Sequence, residues 1–266
     1  MTVAALRDLV RGMDSVVVAL SGGVDSALVA AIAAQELGSR AVALTAHSPT
    51  LPPEEAEVAA EVAGQVGIEH VVVRSHELDN EGYARNDGRR CYFCKDELFA
   101  LAQALRQERG LAWVLDGTIL DDLGDHRPGL QAATERSVRH PLVEAGMGKA
   151  AVRQAARELG LAVWDKPSFA CIGSRFTAGT RVTLERVRQV VAVESAIRRL
   201  GVRQLRVRWH AIGDEVLARI EVDEVGRALL VQRAAAETIE RVAQEAGFRW
   251  VTLDLVGYRS ATDALL

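Results

Sequence analysis

Residues 15–31 read SVVVAL, then SGGVDS, then ALVAA. Ser15 to Leu20 is apolar and mostly β-branched, the pattern of a strand buried on both faces. Gly22 and Gly23 follow, and the alanine-rich run after them reads as a helix. A strand, a Gly-Gly turn and a helix start make a phosphate-binding device. The glycines let backbone N–H groups approach an anion, and the helix N-terminus adds donors and partial positive charge. Ser21 and Ser26 can donate hydroxyls to phosphate oxygens, and Asp25 can hold a metal ion that bridges phosphates. The stretch has no lysine, so it is not G-x-x-x-x-G-K-[ST], and that pattern occurs nowhere in the chain.

Composition bounds the rest. At 266 residues the chain exceeds one typical domain, and two are expected. Apolar residues at 49% supply ample core. A net charge of −4 argues against a large nucleic-acid footprint, which would make the surface basic. No apolar run approaches the roughly 18 residues of a membrane span. Residues 1–14 carry charges inside a helical pattern and lack the apolar block of a signal peptide, so a cytoplasmic protein is expected. Three cysteines in a reducing compartment point to thiol chemistry or metal binding rather than disulfides.

Taken in order, Arg40–His47 and Glu69–Arg74 read as further strands, with a helix from Pro53 to about Val66 between them. Arg89-Arg90-Cys91-Tyr92-Phe93-Cys94-Lys95 opens a helix reaching about Arg109, and Trp113–Asp116 is a fourth strand. Strands alternating with helices imply a parallel sheet covered on both faces, with ligands beyond the carboxyl ends of the strands. The SGGVDS loop, Thr45, His47 and Gly117 all fall at such ends. After a helix from Lys149 to Leu159, the pattern becomes helix (183–200), strand (204–210), strand (215–222), helix (234–246), strand (250–255). That is a separate small α+β domain. The expected division is 1–178 and 179–266, with the linker near Phe176 to Thr183.

Cys91 and Cys94 form C-x-x-C, and Cys171 is the third cysteine. The pair alone reads as a redox couple, half a zinc site or part of an iron–sulfur site. Three thiolates match a 4Fe–4S cluster with one iron left open. Cys171 lies between Lys166 and Arg175, a cationic neighbourhood suited to a nucleophilic thiolate. Arg206 and Arg208 share one face of their strand and can clamp one phosphate. Asp121, Asp122 and Asp125 follow a strand end, where a plain polar loop and a metal or substrate contact are both open. His47, His140 and His210 have no ligand spacing and read as structural.

The word SGGVDS resembles the PP-loop of the N-type ATP pyrophosphatases, adenine nucleotide alpha hydrolase-like enzymes that cleave ATP to AMP and pyrophosphate. A closer likeness runs through SGGVDS, RCYFCK, DGTILDDLGDHRPG, WDKPSFACIGSR, LRVRWH and VTLDLVGYRSA, in that order. It spans nearly the whole chain and is similar to the LarE-type sulfur transferases of nickel-pincer cofactor synthesis. The resemblance implies adenylation of pyridinium-3,5-biscarboxylic acid mononucleotide, release of pyrophosphate, and displacement of AMP by sulfur to leave a thiocarboxylate. Ser21, Gly22, Gly23, Val24, Asp25 and Ser26 would hold ATP, with Mg²⁺ on Asp25 and Thr45, Gly117 and Thr118 near the nucleotide. Cys171 would bear the sulfur, and Ser174, Arg175, Arg206 and Arg208 would bind substrate phosphate or carboxylate. The family has two sulfur routes: a lone cysteine gives up its own sulfur, or three cysteines hold a 4Fe–4S cluster fed by an external sulfide donor. Cys91, Cys94 and Cys171 favour the cluster. The likeness also implies a homo-oligomer, a hexamer, working with other nickel-pincer proteins and with neither membrane nor nucleic acid. A PP-loop tRNA thiolase is the rival reading; it predicts a basic surface, which this chain lacks.

Overall fold

The computed structural model describes residues 3–124, 128–167 and 170–259. Residues 125–127, 168–169 and 260–261, which the sequence words above include, lie outside them. The chain divides into two compact units: Met1–Tyr83 with Gly88–Phe169, and Ala84–Asp87 with Ala170–Leu266. The division falls earlier than the expected 178/179 because the Cys171 segment hydrogen-bonds within the second unit. Ala84–Asp87 joins that unit for the same reason. Asn86 Nδ2 donates to the Thr177 carbonyl at 2.9 Å, Gly179 N donates to Asn86 O at 2.9 Å, and Val182 N to Ala84 O at 2.8 Å.

From the amino terminus the elements are α1 (Val3–Arg11), β1 (Val16–Ala19), α2 (Val24–Leu37), β2 (Ala41–His47), α3 (Pro53–Val66), β3 (Glu69–Arg74), α4 (Glu81–Ala84), α5 (Arg90–Arg109), β4 (Trp113–Leu115), α6 (Pro128–Glu135), α7 (Pro141–Glu144) and α8 (Lys149–Glu158). The strands pair in parallel in the order β3-β2-β1-β4. Val16, Val18 and Ala43 face one core with Leu6, Leu28 and Ile32, while Val17, Val42, Leu44 and Val114 face another with Phe99, Ala102 and Leu105. The period-two alternation therefore buries both faces, and that is why these strands read as unbroken apolar runs. β1 leads to β2 and then β3 on one flank, whereas β4 returns to the other. The reversal makes a switch point between β1 and β4, where such sheets bind ligands.

The second unit continues with α9 (Leu184–Arg199), β5 (Leu205–Ile212), β6 (Glu215–Val222), α10 (Glu224–Leu230), α11 (Arg233–Glu245) and β7 (Trp250–Leu253). β5 and β6 form an antiparallel hairpin, and β7 joins β6 in parallel. Leu205, Val207 and Trp209 are buried on one face of β5, which packs against α9; Arg206, Arg208 and His210 lie on the other. Apolar periodicity does not foretell α10. Its signal is local: the Asp223 carboxylate caps it, accepting from Gly226 N at 2.7 Å. Among the described residues no helix is long and apolar enough to cross a membrane.

Candidate functional sites

The SGGVDS loop sits at the carboxyl end of β1, beside the switch point. Its turn is held by its own serines: Ser26 Oγ accepts from Ser21 N at 3.2 Å and donates to Gly23 O at 3.1 Å. Gly22 has φ +74°, and a Cβ there would lie 3.1 Å from both Ala59 N and Glu55 O of α3. Left-handed backbone and close packing together require glycine. The described residues give α2 no side-chain cap. Its leading N–H groups are thus available to an anion. Gly117 follows β4 and packs onto the same helix start, where a Cβ would come 2.6 Å from Ser26 N. Two strand ends that are remote in sequence meet at the loop.

Thr45 takes a different place from the expected nucleotide contact. It is buried; its hydroxyl donates to Leu20 O at 2.7 Å and lies 2.8 Å from His70 Nε2. It braces the loop from behind. Thr118 is likewise turned inward, its N and Oγ1 donating to the buried Asp116 carboxylate at 3.0 and 2.8 Å. His140 Nδ1 meets the same carboxylate at 2.7 Å. Burial opposes both charges, yet the hydrogen bond and mutual attraction win: His140 is raised and Asp116 lowered from their ordinary values. Asp121 and Asp122 act as local caps. Asp121 Oδ2 accepts from Lys149 N at 2.8 Å, and Asp122 Oδ2 accepts from Ile119 N at 3.1 Å.

Two lysines complete this cluster, and the motif gives no hint of either. Lys149 Nζ lies 3.1 and 2.9 Å from the two Asp25 oxygens. Lys166 Nζ donates to Glu55 Oε2 at 2.8 Å and to Gly22 O at 3.1 Å. Asp25 offers a hard carboxylate oxygen of the kind Mg²⁺ takes alongside phosphate oxygens.

Cys91 and Cys94 lie in the first turns of α5, Cys91 exposed and Cys94 part-buried. Their i, i+3 spacing puts both thiols on one side of the helix. Arg89 covers the rings of Tyr92 and Phe93, at 5.0 and 5.6 Å from their centres. Among the described residues no group of three or more His, Cys, Asp or Glu side chains forms a metal site.

In the second unit, part-buried Cys171 precedes a short turn of 3₁₀ helix, Ile172–Arg175. Arg175 departs from the expected substrate-binding role. It is 1% exposed, and its guanidinium forks onto Glu194, Nε to Oε1 at 2.7 Å and Nη2 to Oε2 at 3.1 Å. Its remaining nitrogen donates to Ala170 O at 2.8 Å and Ser174 Oγ at 3.0 Å, fixing the cysteine turn from inside. Arg208 fixes the same turn from the sheet, donating to Ser174 O at 2.6 Å and to Glu221 Oε1 at 3.0 Å. Arg206 shares the face of Arg208, stacks under the Tyr258 ring at 4.6 Å and donates to Arg259 O at 2.8 Å. Burial, with the charges of Arg208 and Arg175, pulls it below the usual guanidinium range. The face thus combines two guanidiniums with the buried carboxylate of Glu221, one oxygen of which, Oε2, has no hydrogen-bond partner among the described residues.

A model of the asparagine synthase family matches residues 2–86. The chain is 45% identical over 255 residues to an uncharacterized protein of Synechocystis, covering 96% of this chain and 94% of that one. It is 38% identical over 261 residues to the pyridinium-3,5-bisthiocarboxylic acid mononucleotide synthase of Lactiplantibacillus plantarum, covering 97% and 90%. A more distant likeness, 24% over 245 residues, covers 92% of this chain and 91% of an uncharacterized protein of Methanocaldococcus jannaschii.

Proposed function

The chain belongs to the LarE family of sulfur transferases, and from that membership we propose that it uses ATP to turn the carboxylates of pyridinium-3,5-biscarboxylic acid mononucleotide into thiocarboxylates. The near-full-length likeness to a synthase so named carries this reading. The loop geometry supports its first half. ATP places its phosphates on the leading N–H groups of α2 and the hydroxyls of Ser21 and Ser26. A substrate carboxylate oxygen attacks the α-phosphorus, the bond to the bridging oxygen breaks, and pyrophosphate leaves. A divalent cation at Asp25 would supply charge neutralisation for that departure.

Arg206 and Arg208 hold the substrate phosphate, and the turn that Arg175 and Arg208 support presents Cys171. A sulfur nucleophile attacks the acyl carbon of the adenylate, the carbon–oxygen bond breaks, and AMP departs with the carboxylate oxygen. Cys91, Cys94 and Cys171 as holders of a 4Fe–4S cluster remain part of the proposal, supported by three thiols and the one-turn spacing of two of them. When bound, such a cluster supplies a soft site at which sulfide from outside the chain is delivered. Without it, Cys171 itself is the donor: its thiolate displaces AMP to form a thioester, and loss of its Cα proton with cleavage of the Cβ–Sγ bond frees the thiocarboxylate and leaves dehydroalanine. A cytoplasmic homo-oligomer, hexameric by family likeness, completes the reading, and the exposed Val225, Val231, Leu255 and Val256 support self-association.

The test is to incubate protein purified without oxygen with the biscarboxylate nucleotide, ATP, Mg²⁺ and sulfide. AMP, pyrophosphate and oxygen-for-sulfur exchange in the product are expected by mass spectrometry. Cys171→Ala should still release pyrophosphate and give no thiocarboxylate. AMP release with no sulfur incorporated by the wild type would overturn the reading. About four irons and four labile sulfides per chain, lost in Cys91→Ala, would establish the cluster; an iron-free, active protein would leave Cys171 as the donor.

A further inference from the structure

The nucleotide loop has the wrong charge for its ligand. SGGVDS contributes a carboxylate and no cation, and Glu55 adds a second carboxylate beside Gly22, where Lys166 bridges the two. A polyphosphate brings further negative charge. Lys166 matches Glu55 and Lys149 matches Asp25, so each acid at the loop has one ammonium.

Lys149 is the more telling because of where its backbone lies. It opens α8, where a cation meets the positive end of the helix dipole and ordinarily costs stability. The first turn of α8 contains no acidic residue. The compensating carboxylate comes from Asp121, which accepts from Lys149 N at 2.8 Å and occupies the space that a side chain at Gly148 would need, 2.6 Å from that Cβ position. An acid and a glycine are thus committed to keeping a lysine at an unfavourable helix start, from which its ammonium reaches Asp25. A lysine suits exchange better than an arginine. Its ammonium is a compact charge on a flexible stem, whereas a guanidinium would lock its planar fork onto the carboxylate. The side chains are 33% and 26% exposed, so water competes and the pair is weak.

We propose that Lys149 is the exchangeable counter-ion of Asp25: it neutralises this carboxylate while nucleotide is absent, yields it to the divalent cation that accompanies ATP, and then turns to the polyphosphate. The proposal rests on the ATP reading above and adds a residue and a coupling to it. A divalent cation arriving alone must displace the ammonium with nothing to receive it. A cation arriving with ATP brings phosphates that do. Metal and nucleotide therefore bind cooperatively, and Lys149 carries that coupling.

The experiment titrates Mn²⁺ without nucleotide by electron paramagnetic resonance, and Mg²⁺ with ATP by calorimetry. The proteins are wild type, Lys149→Met, Lys149→Arg and Asp25→Asn, each checked for a cooperative thermal transition. Lys149→Met should bind Mn²⁺ alone about fivefold tighter than wild type, bind ATP more weakly, and lose the dependence of one on the other. Lys149→Arg keeps the charge and the helix start and should bind Mn²⁺ alone no better than wild type. Should Lys149→Met fail to fold, an Mn²⁺ affinity of Lys149→Arg above that of wild type would overturn the proposal. So would unchanged Mn²⁺ affinity and unchanged coupling in a folded Lys149→Met. Failure of the underlying reading looks different: the wild type binds no ATP with Mg²⁺, or Asp25→Asn binds it as well as wild type does.

Discussion

Two ion-pair clusters, one in each unit, are built in opposite ways. In the second, Arg175 and Glu194 are 1% and 0% exposed at their side chains, and Glu194 also accepts from Val207 N at 3.0 Å and from Arg198. In the first, Lys149–Asp25 and Lys166–Glu55 are only part-buried and use single ammonium groups. A buried fork cannot be given up without leaving an uncompensated charge, so it holds a shape. An ammonium at a loop edge costs little to move, so it can change partners. Arginine sets the cysteine turn and lysine meets the nucleotide.

Removing one side of the fork should have the largest effect. Glu194→Gln leaves Arg175 buried without its counter-charge and should destabilise the protein by about 3–5 kcal/mol in urea unfolding; a loss under about 1 kcal/mol would erase the contrast between the units. Gly117→Ala forces a methyl group against Ser26 N. It should cost roughly 1–3 kcal/mol and weaken ATP binding as the loop shifts, whereas unaltered calorimetric affinity would separate β4 from the nucleotide site.

His140→Gln should cost about 1 kcal/mol, and the cost should depend on pH. His140 is raised in the fold, so its contribution is whole below its unfolded pKa of about 6.5 and is lost as pH rises through the higher folded value. Asp116 is lowered, so its share is present above about 3.9 and is lost as pH falls through its folded value. Thermal midpoints should therefore separate wild type from His140→Gln most between about pH 4 and 6.5. A gap that widens above neutrality would contradict the pair. Lys166→Met should change stability least, within about 1 kcal/mol, while lowering ATP affinity. A large stability loss with unchanged affinity would place Lys166 with the structural pairs.

The doubly covered sheet was legible because strands buried on both faces leave unbroken apolar runs, and because Gly22-Gly23 and Pro53 mark the turns beside them. The strand ends could be assembled into one crevice from topology alone. Side-chain partners could not. Thr45 stands at a strand end, yet its hydroxyl goes to Leu20 and His70, a choice that depends on which face the pleat turns inward. Arg175 beside Cys171 reads as a ligand for anions until Glu194 is considered. That glutamate lies on the apolar stripe of α9 with Val187, Val190 and Ile197, and a charge on a buried stripe calls for a buried partner. Lys149 left a comparable trace, a cation at a helix start with no acid in the first turn. Both signals are violations of a local rule, and both mark residues that the motifs alone do not name.

The four-residue excursion Ala84–Asp87 has a consequence for synthesis. Asn86 leaves the ribosome 90 residues before Phe176, whose carbonyl its side chain meets. At roughly 5–20 residues per second it waits about 5–18 s for that partner. The first unit is therefore translated around a segment that cannot find its hydrogen bonds until the second begins to emerge. A gene cut at 169/170 would strand that segment permanently, so an expression plan that treats the nucleotide half as an independent cassette should move Ala84–Asp87 out of it or keep the whole chain.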